Sequence, residues 1–250
     1  MIEASEVTVH FGAVTAVDGV SLTVPDEGVL GLVGPNGSGK TTLLRALYGA
    51  VTPTAGTVSL DGRPLPGLRR REVSTEIAVV TQEHSDGGTP ISVAELVMLG
   101  RLPHQGVFAQ TTSTDRRIVV DALGSVGLTD LASRDVAVLS GGERQRALIA
   151  RALAQQAGHV LLDEPTNHLD IRYQQEVLEL VSALPGSAVV LHDLNLAARY
   201  CDRIVVLNRG RVVASGTPAE VLTPEILEPV YGVRVKRVEL DGETHLLFPR

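Results

Sequence analysis

The sequence has one cysteine, no tryptophan and few aromatic residues, which excludes an internal disulfide and a core rich in aromatic side chains. Cys201 has no partner for an internal disulfide, which fits a reducing compartment and a structural thiol. Aromatic residues make up 3% of the 250 residues, so the core must consist of valine, leucine, alanine and isoleucine. No apolar stretch approaches the roughly 20 residues of a membrane span, and the acidic segment Met1–Glu6 is unlike a signal peptide. We therefore expect a cytosolic protein.

The charge balance is acidic, with 22 Lys and Arg against 29 Asp and Glu and a net charge of −7. A nucleic-acid binder needs clustered basic side chains, so no nucleic-acid partner is expected. The one basic run, Arg69–Arg71, is interpreted as a solvated helix end rather than a lipid or partner contact.

Short apolar runs alternate with helical patterns, which predicts an α/β domain with parallel strands. The runs that predict strands buried on both faces are Val29–Val33, Ile77–Thr81, Val160–Leu162, Ala188–Leu191 and Ile204–Leu207. Polar alternation near the start predicts antiparallel strands at Val7–Phe11, Val20–Val24 and Thr57–Leu60.

The remaining organisation is an insertion and a tail. Residues 82–156 are mostly helical and contain no strong strand pattern, which predicts a helical subdomain at about 83–157 inside a domain of residues 1–232. Residues 233–250 form a tail that reads as a hairpin, with strands Val233–Leu240 and Thr244–Phe248 around Asp241-Gly242.

A glycine-rich loop matches the phosphate-binding pattern G-x-x-x-x-G-K-[ST] without a gap. Its glycines let backbone N–H groups converge on phosphate oxygens, and the helix that follows adds its positive dipole. We expect Lys40 to reach the β- and γ-phosphates of a nucleotide and the Thr41 hydroxyl to bind Mg²⁺. The predicted nucleotide-binding residues are Gly34, Pro35, Asn36, Gly37, Ser38, Gly39, Lys40, Thr41 and Thr42.

Two acidic residues, Asp163 and Glu164, follow the predicted strand Val160–Leu162. Open α/β sheets place their ligand chemistry at the carboxyl ends of strands. Asp163 is expected to support Mg²⁺ and Glu164 to polarise the attacking water. Alone, Asp-Glu before proline is an ordinary strand-ending turn, but together with the phosphate loop it favours the functional interpretation.

A second glycine-rich segment, Leu139–Glu143, opens another predicted helix. Ser140 and Glu143 have the spacing of a capping box, which would explain a well-capped helix without any ligand. However, Gly141 and Gly142 in the first turn each cost about 1 kcal/mol relative to alanine. Capping gives no reason for that cost, whereas close approach of the backbone to an anion does. The sequence therefore predicts two anion-binding helix starts about a hundred residues apart.

Leu139–Glu143, continuing into Arg144–Arg146, resembles the signature motif of ATP-binding cassette (ABC) ATPases. In that family two nucleotide-binding domains pair head to tail, and each ATP lies between the phosphate loop of one and the signature helix of the other. The resemblance runs from about Glu3 to Val233. It implies a P-loop NTPase fold with an antiparallel β subdomain and an inserted helical subdomain. It also implies a Mg-ATP hydrolase that works as two copies of this chain.

The resemblance assigns further roles by position. Phe11 resembles the aromatic residue that stacks on adenine, and Gln82 the glutamine that contacts Mg²⁺ and water. His192 resembles the switch histidine at the γ-phosphate. Asp170 belongs to a D-loop-like segment, Asn167–Asp170, and the resemblance places it among the nucleotide-binding residues. The implied catalytic residues are Glu164, Lys40, His192 and Gln82. The implied metal ligands are Thr41, Gln82 and Asp163, and the signature contacts to nucleotide are Ser140, Gly141, Gly142 and Glu143.

Longer stretches resemble one importer subfamily, the ATPase subunits of bacterial iron–siderophore, haem and cobalamin importers. These stretches are Leu99–His104, Pro165–Gln174, His192–Tyr200, Gly216–Pro218 and Val230–Val233. Such systems use separate membrane permease subunits and an extracytoplasmic substrate-binding protein. The resemblance implies a peripheral ATPase on the inner face of the cell membrane, with Gln82–His104 facing the permease. Iron–siderophore is the favoured cargo, and haem or cobalamin is the alternative.

Two other classes stay open as alternatives. A soluble ABC ATPase of translation or DNA repair usually carries two cassettes in one chain, a long coiled coil or basic surfaces, and this sequence shows none of these. A P-loop kinase or GTPase would leave Ser140–Glu143, Gln82 and His192 unexplained. A GTPase would also need a guanine-reading Asn-Lys-x-Asp, which the sequence lacks.

Overall fold

The computed structural model of the chain describes residues 1–81, 90–105, 110–167, 169–240 and 243–249. The strands are β1 (Ile2–Phe11), β2 (Val14–Val24), β3 (Val29–Val33), β4 (Ala55–Leu60), β5 (Arg63–Pro64), β6 (Ile77–Val80), β7 (His159–Asp163), β8 (Ser187–Val190), β9 (Arg203–Asn208), β10 (Arg211–Gly216), β11 (Lys236–Leu240) and β12 (Glu243–Leu247). The α-helices are α1 (Lys40–Leu47), α2 (Arg70–Glu76), α3 (Val93–Met98), α4 (Ser113–Ser125), α5 (Gly141–Gln155), α6 (Ile171–Ser182), α7 (Leu194–Tyr200), α8 (Pro218–Val221) and α9 (Pro224–Tyr231).

A six-stranded sheet forms the centre, in the order β10-β9-β3-β8-β7-β6. Its strands pair in parallel, except that β10 pairs antiparallel with β9 at the edge. A second, antiparallel sheet has the order β2-β1-β4-β5, and β11 pairs with β12 as a separate hairpin. The parallel pairing brings the carboxyl ends of β3, β7 and β8 to one edge.

The central sheet separates two hydrophobic cores because alternate residues of each strand point to opposite faces. On β3, Leu30 and Leu32 pack into the core that contains α1 and the antiparallel sheet. Val29 and Val33 pack into the other core, which contains helices α3 to α9. Parallel strands are typically buried on both faces in this way, and this explains why their sequences read as continuous apolar runs.

The observed elements confirm the predicted α/β class with an antiparallel sheet, and the boundaries differ by a few residues. Val29–Val33 is reproduced as β3, whereas β8 begins at the buried Ser187, one residue before the predicted Ala188. In the tail, β11 begins at Lys236 rather than Val233. The later start is explained by Gly232, whose φ of 69° ends α9 and turns the chain before the strand. The hairpin turn at Asp241-Gly242 lies outside the described residues.

The described residues between β6 and β7 carry helices α3, α4 and α5 with short 3₁₀ turns. A buried ion pair joins them, since Arg101 Nε donates to Asp115 Oδ1 at 2.9 Å and its Nη1 donates to the Ala154 carbonyl at 2.7 Å. Hydrogen bonds from Thr112 and Arg101 hold the pKa of Asp115 well below its usual range. No helix of the described part has the length and apolarity to cross a bilayer. The division into residues 1–232, 83–157 and 233–250 stays a prediction.

Cys201 lies directly beneath β3. A Cβ placed on Gly31 would come within 2.7 Å of its sulfur, so the strand needs glycine at this point. Burial and the neighbouring Asp202 raise the pKa of the Cys201 thiol to about 12. The thiol is therefore protonated at neutral pH, which agrees with the structural role expected of it.

Candidate functional site

The phosphate loop connects β3 to α1 through three glycines with positive φ. Gly34, Gly37 and Gly39 have φ angles of 149°, 76° and 100°. A Cβ on Gly34 would lie 2.1 Å from the Leu207 carbonyl oxygen, and one on Gly39 would lie 2.3 Å from that of Ala16. Gly39 is also the N-cap of α1, and no side chain of the described residues caps this helix. Its first N–H groups are thus left for a ligand.

Lys40, the first residue of α1, is buried with 5% of its surface exposed. Its ammonium donates to the carbonyl oxygens of Gly34 at 2.8 Å and Pro35 at 3.0 Å. Burial lowers the pKa of Lys40, and the carboxylates of Glu164 and Asp163 oppose that shift. An ammonium has three donors, so one remains that could reach a phosphate oxygen.

Ser38 is a further buried polar group at this loop. Its side chain is 3% exposed, and its hydroxyl has no hydrogen-bond partner among the described residues. Buried polar groups in native proteins are nearly always paired, so an orphan at this place calls for an explanation. The uncapped start of α1 and the remaining donor of the Lys40 ammonium lie at the same loop. Together they fit an anion with several oxygen atoms.

Asp163 ends β7 beside the start of α1. The Thr41 hydroxyl donates to Asp163 Oδ1 at 3.0 Å. Burial raises the pKa of Asp163, whereas the Thr41 hydrogen bond lowers it. A hydroxyl and a carboxylate next to a phosphate site are the oxygen donors that Mg²⁺ prefers, so these two residues fit a magnesium site.

Glu164 is held in a strained conformation between two side chains. Its φ of 53° lies in the left-handed region, which is costly for a residue other than glycine. His192 Nε2 lies 2.6 Å from Glu164 Oε1, and Asn167 Nδ2 donates to Glu164 Oε2. His192 follows β8 and Glu164 follows β7, so adjacent parallel strands bring the pair together. Residues with strained backbone conformations are concentrated at active sites and ligand-binding sites.

Asp170 has a clear local role. It is the N-cap of α6, and its Oδ1 accepts a hydrogen bond from the Tyr173 N–H at 3.1 Å. Asn167, three residues earlier in the D-loop-like segment, contacts Glu164. The nucleotide contact implied for Asp170 remains a prediction.

The second glycine-rich helix start, at α5, has the predicted capping box. Ser140 Oγ accepts from the Glu143 N–H at 3.3 Å, and the Glu143 carboxylate accepts from the Ser140 N–H at 2.8 Å. The Ser140 hydroxyl also donates to the Glu143 carboxylate at 2.7 Å. The hydrogen bonds that the carboxylate accepts from the Ser140 hydroxyl and N–H hold the pKa of Glu143 below its usual range. The capping box therefore satisfies the Ser140 and Glu143 N–H groups without a ligand.

One of the two glycines has an explanation within the chain, which amends the sequence argument. A Cβ on Gly142 would lie 2.8 Å from Cγ of the Tyr173 ring, so glycine is needed there for α6 to pack on α5. A Cβ on Gly141 would meet only Leu169 Cδ2 at an ordinary 3.8 Å. Gly141 alone remains without an internal reason, and it is exposed.

The structure brings together only part of the predicted site. Lys40, Thr41, Asp163, Glu164 and His192 lie at one edge of the central sheet. In the described part of the chain, α1 packs on β1, β2, β7 and β8, whereas α5 packs on α3, α4, α6 and β6. Phe11 is 55% exposed at the end of β1. Gln82 lies outside the described residues.

Tyr231 is a neighbour of the site that the sequence analysis missed. Its hydroxyl is buried near the backbone of Gly34, without a hydrogen bond of ordinary geometry among the described residues. Burial raises its pKa to about 12, although the Gly34 backbone opposes the shift. No motif spacing indicates this contact, because α9 is far from the phosphate loop in sequence.

Comparison with known sequences gives consistent relatives. The family profile described as ABC transporter matches residues 17–167. The ferric enterobactin transport ATP-binding protein of Escherichia coli is 41% identical over 238 residues, covering 93% of this chain and 88% of that protein. The hemin import ATP-binding protein of Pseudomonas entomophila is 44% identical over 244 residues, covering 94% of each.

Solved structures agree with the fold. An inward-facing conformation of a putative metal-chelate type ABC transporter has a chain with a TM-score of 0.86 and 27% identity. That match covers 100% of this chain and 97% of the other. The dimeric structure of MJ0796, a bacterial ABC transporter cassette, has a TM-score of 0.74 and 28% identity, covering 87% and 99%.

Proposed function

Because the chain belongs to the ABC transporter family, we propose that it is the ATP-hydrolysing subunit of a bacterial importer for iron–siderophore complexes. Its activity class is that of the family, an ATPase coupled to transport. The observation that carries the cargo proposal is the 41% identity to a ferric enterobactin transport ATP-binding protein over nearly the full length. The resemblance of His192–Tyr200 and Leu99–His104 supports the importer subfamily as a whole, whose cargoes also include haem and cobalamin.

ATP is the substrate, and each group at the sheet edge has a part in its hydrolysis. The α1 start and the third Lys40 donor would bind the β- and γ-phosphates. Thr41 and Asp163 would hold Mg²⁺, which supplies positive charge beside the phosphate oxygens. Gln82 would add a further ligand.

The hydrolytic step would rest on Glu164 and His192. Glu164 accepts a hydrogen bond from the attacking water and polarises it. The contacts of Glu164 with His192 and Asn167 would hold the carboxylate in one orientation. Since His192 Nε2 is 2.6 Å from this carboxylate, the imidazole would stand beside the γ-phosphate as well.

The α5 start would complete the site of a second copy. Ser140 and Gly141 are exposed, and α5 packs away from α1 in the described part of the chain. The backbone of Gly141 is open, and alanine would fit there without conflict inside the chain. A head-to-tail dimer would place this backbone, with Ser140, Gly142, Glu143 and Asp170 nearby, at the partner's nucleotide. Phe11 would stack on the adenine of the chain's own nucleotide.

A membrane permease would bind the face around residues 99–104. Leu99 and Leu102 are 43% and 57% exposed there, and Arg71 of α2 donates to the Pro103 carbonyl at 2.8 Å. A cleft of about 600 Å³ lies next to α2 and is lined by apolar residues including Val51, Leu65 and Leu68. The protein would then be peripheral on the cytoplasmic face of the membrane, and an extracytoplasmic binding protein would deliver the cargo to the permease.

Uptake of labelled cargo in cells that carry Glu164→Gln tests this proposal. Glu164→Gln removes the carboxylate charge that polarises water, and we expect ATP hydrolysis to fall by about 10²–10⁴-fold with ATP binding retained. A nucleotide-bound dimer should accumulate, and ferric siderophore uptake should stop. The control is Glu179→Gln, an exposed residue of α6, which should leave hydrolysis and uptake unchanged.

A haem importer is the second candidate, because the hemin import relative is 44% identical over a similar length. Labelled haem and labelled cobalamin are therefore further arms of the same experiment. Loss of haem or cobalamin uptake with siderophore uptake intact would replace the proposed cargo. Near-normal hydrolysis by Glu164→Gln would contradict the role given to Glu164.

A further inference from the structure

The side chain of Asn195 binds the C-terminal hairpin close to His192. Asn195 Oδ1 accepts from the Leu246 N–H at 2.7 Å, and Asn195 Nδ2 donates to the Leu246 carbonyl at 3.2 Å. The amide of Asn195 thus pairs with β12 as a neighbouring strand would. Leu246 is 2% exposed and packs into the same core as Leu194 and Ala197 of α7.

His192 and Asn195 lie in the same turn, and Asn195 binds this turn to β12. Asp193 Oδ1 caps α7 by accepting from the N–H groups of Asn195 at 2.8 Å and Leu196 at 3.2 Å. The capping of α7 therefore needs only Asp193, and the Asn195 amide is free to bind the hairpin instead. β8 ends just before this turn, so the turn that carries His192 lies between β8 and the Asn195–Leu246 contact.

The remaining space beside this turn is not filled. A cleft of about 510 Å³ lies between residues 192–195 and a wall that contains Tyr231, Val233 and Phe248. His192 has 37% of its side chain exposed, so packing alone does not hold the imidazole in place. In the described structure the Asn195–Leu246 hydrogen bonds join this turn to the hairpin.

We propose that Asn195 is a positioning residue for hydrolysis. By fastening β12 to the turn that carries His192, it keeps His192 Nε2 against Glu164 Oε1. The hairpin β11–β12 thereby becomes part of the hydrolytic machinery. This inference rests on the proposed ATPase function and gives a role to the C-terminal tail.

The test is Asn195→Ala in the full chain, with kcat and KM for ATP measured together. We expect kcat to fall about tenfold because the histidine is no longer held in place, and KM to stay within about twofold. The control is Arg199→Ala, which removes an exposed contact of α7 with the hairpin, 3.9 Å from Glu243. That variant should keep the wild-type kcat. Unfolding midpoints of both variants show that each is folded at the assay temperature.

A spectroscopic measurement separates positioning from general loosening. In the chain with ¹⁵N-labelled histidine, the His192 signal is identified among the seven histidines by its absence in His192→Ala. Asn195→Ala should shift or broaden this signal and that of His245, the neighbour of Leu246 on β12, and leave the other five unchanged. Arg199→Ala should leave the His192 signal unaltered.

A combined variant gives the decisive outcome. In single-turnover hydrolysis, adding Asn195→Ala to His192→Ala should lower the rate by less than about twofold, since residues acting as a unit are non-additive. A further tenfold loss would overturn the inference, as would a wild-type kcat for folded Asn195→Ala. If the wild-type chain hydrolyses no ATP with its membrane partners, the proposed function fails instead.

Discussion

The N-cap of α1 is Gly39, whereas the N-cap of α5 is Ser140, and the two helices differ in how their first N–H groups are hydrogen-bonded. Within the described residues no side chain caps α1, and the buried Ser38 hydroxyl beside it has no partner. At α5, Ser140 and Glu143 satisfy each other through three hydrogen bonds. Two glycine-rich segments of similar sequence therefore begin different helices. In the described structure α1 has no side-chain cap, whereas α5 has a capping box.

The difference between the two helix starts suggests a different partner for each one. At the α1 start the Ser38 hydroxyl is buried without a partner among the described residues, which supports the nucleotide site proposed for the chain itself. The α5 start is capped by Ser140 and Glu143 of its own chain, and Gly141 beside this cap is exposed, as the proposed contact with a second copy requires. The comparison can be tested at each end separately.

Ser140→Arg should have the largest effect. The bulky cation would block the α5 backbone from a partner's nucleotide, and we expect hydrolysis to fall by about 10²–10³-fold. ATP affinity should change little, because the α1 start is intact, and the chain should remain a folded monomer. Hydrolysis assays, nucleotide titration and sedimentation check these outcomes.

The control for Ser140→Arg is Thr217→Arg. Thr217 pairs with Glu220 at the start of α8, so this change also removes a helix cap. Each variant should lose about 0.5–2 kcal/mol of stability, but only Ser140→Arg should lose hydrolysis. Normal dimerisation and turnover in Ser140→Arg would remove the basis for a shared site.

Lys40→Ala should have the next largest effect, on binding itself. Loss of a charge-assisted contact to phosphate should weaken ATP binding by about 100-fold. The control is Lys236→Ala on β11, the only other lysine of the sequence, which should bind ATP normally. Calorimetric titration measures both. Unchanged affinity in Lys40→Ala would mean that the α1 start is not completed by phosphate.

The two adjacent glycines of α5 should respond oppositely to alanine. Gly142→Ala should lower the free energy of unfolding by about 1–3 kcal/mol, because its Cβ would be forced against the Tyr173 ring. Gly141→Ala should keep that free energy or raise it by up to about 1 kcal/mol. Urea unfolding without nucleotide measures both. Equal losses at the two positions would contradict the assignment of only Gly142 to packing.

The smallest expected effect is a pH dependence at Lys40. Burial lowers its pKa below the ordinary 10.5, so the unfolded chain binds this proton more tightly than the folded chain. Between the two pKa values the unfolded state holds more protons, and stability rises with pH. Wild-type stability relative to Lys40→Met should therefore increase as the pH rises through the lowered pKa toward 10.5. The difference between wild type and Ser140→Ala should stay constant there, and urea unfolding at each pH checks both.

Local patterns explain which parts of the fold could be predicted. Val29–Val33 is recognisable because it is apolar throughout and is followed by a glycine loop, and both signals lie within a dozen residues. The groups at the carboxyl ends of β7 and β8 could be placed together because parallel strands share an edge. Lys40, Asp163, Glu164 and His192 are indeed neighbours at this edge, although their catalytic roles stay predictions.

Contacts between distant segments explain what could not be predicted. Gly142 is needed because Tyr173 of α6 packs on it, and nothing in the α5 sequence indicates that ring. Asn195 reads as an ordinary residue of a helical pattern, yet its amide binds Leu246, 51 residues away. Both contacts arise from tertiary packing, which motif spacing and periodicity do not encode.

The buried Cys201 has a practical consequence for following the pairing of two chains. A thiol with a pKa of about 12 and 6% exposure reacts slowly with maleimides at neutral pH, since the thiolate is the nucleophile. A new cysteine on an exposed residue of α5 or α6 could thus be labelled selectively in the otherwise native chain. Replacing Cys201 first would disturb its packing against Gly31 and is unnecessary. Spin or fluorescent probes could then report the distance between two cassettes as ATP is added and consumed.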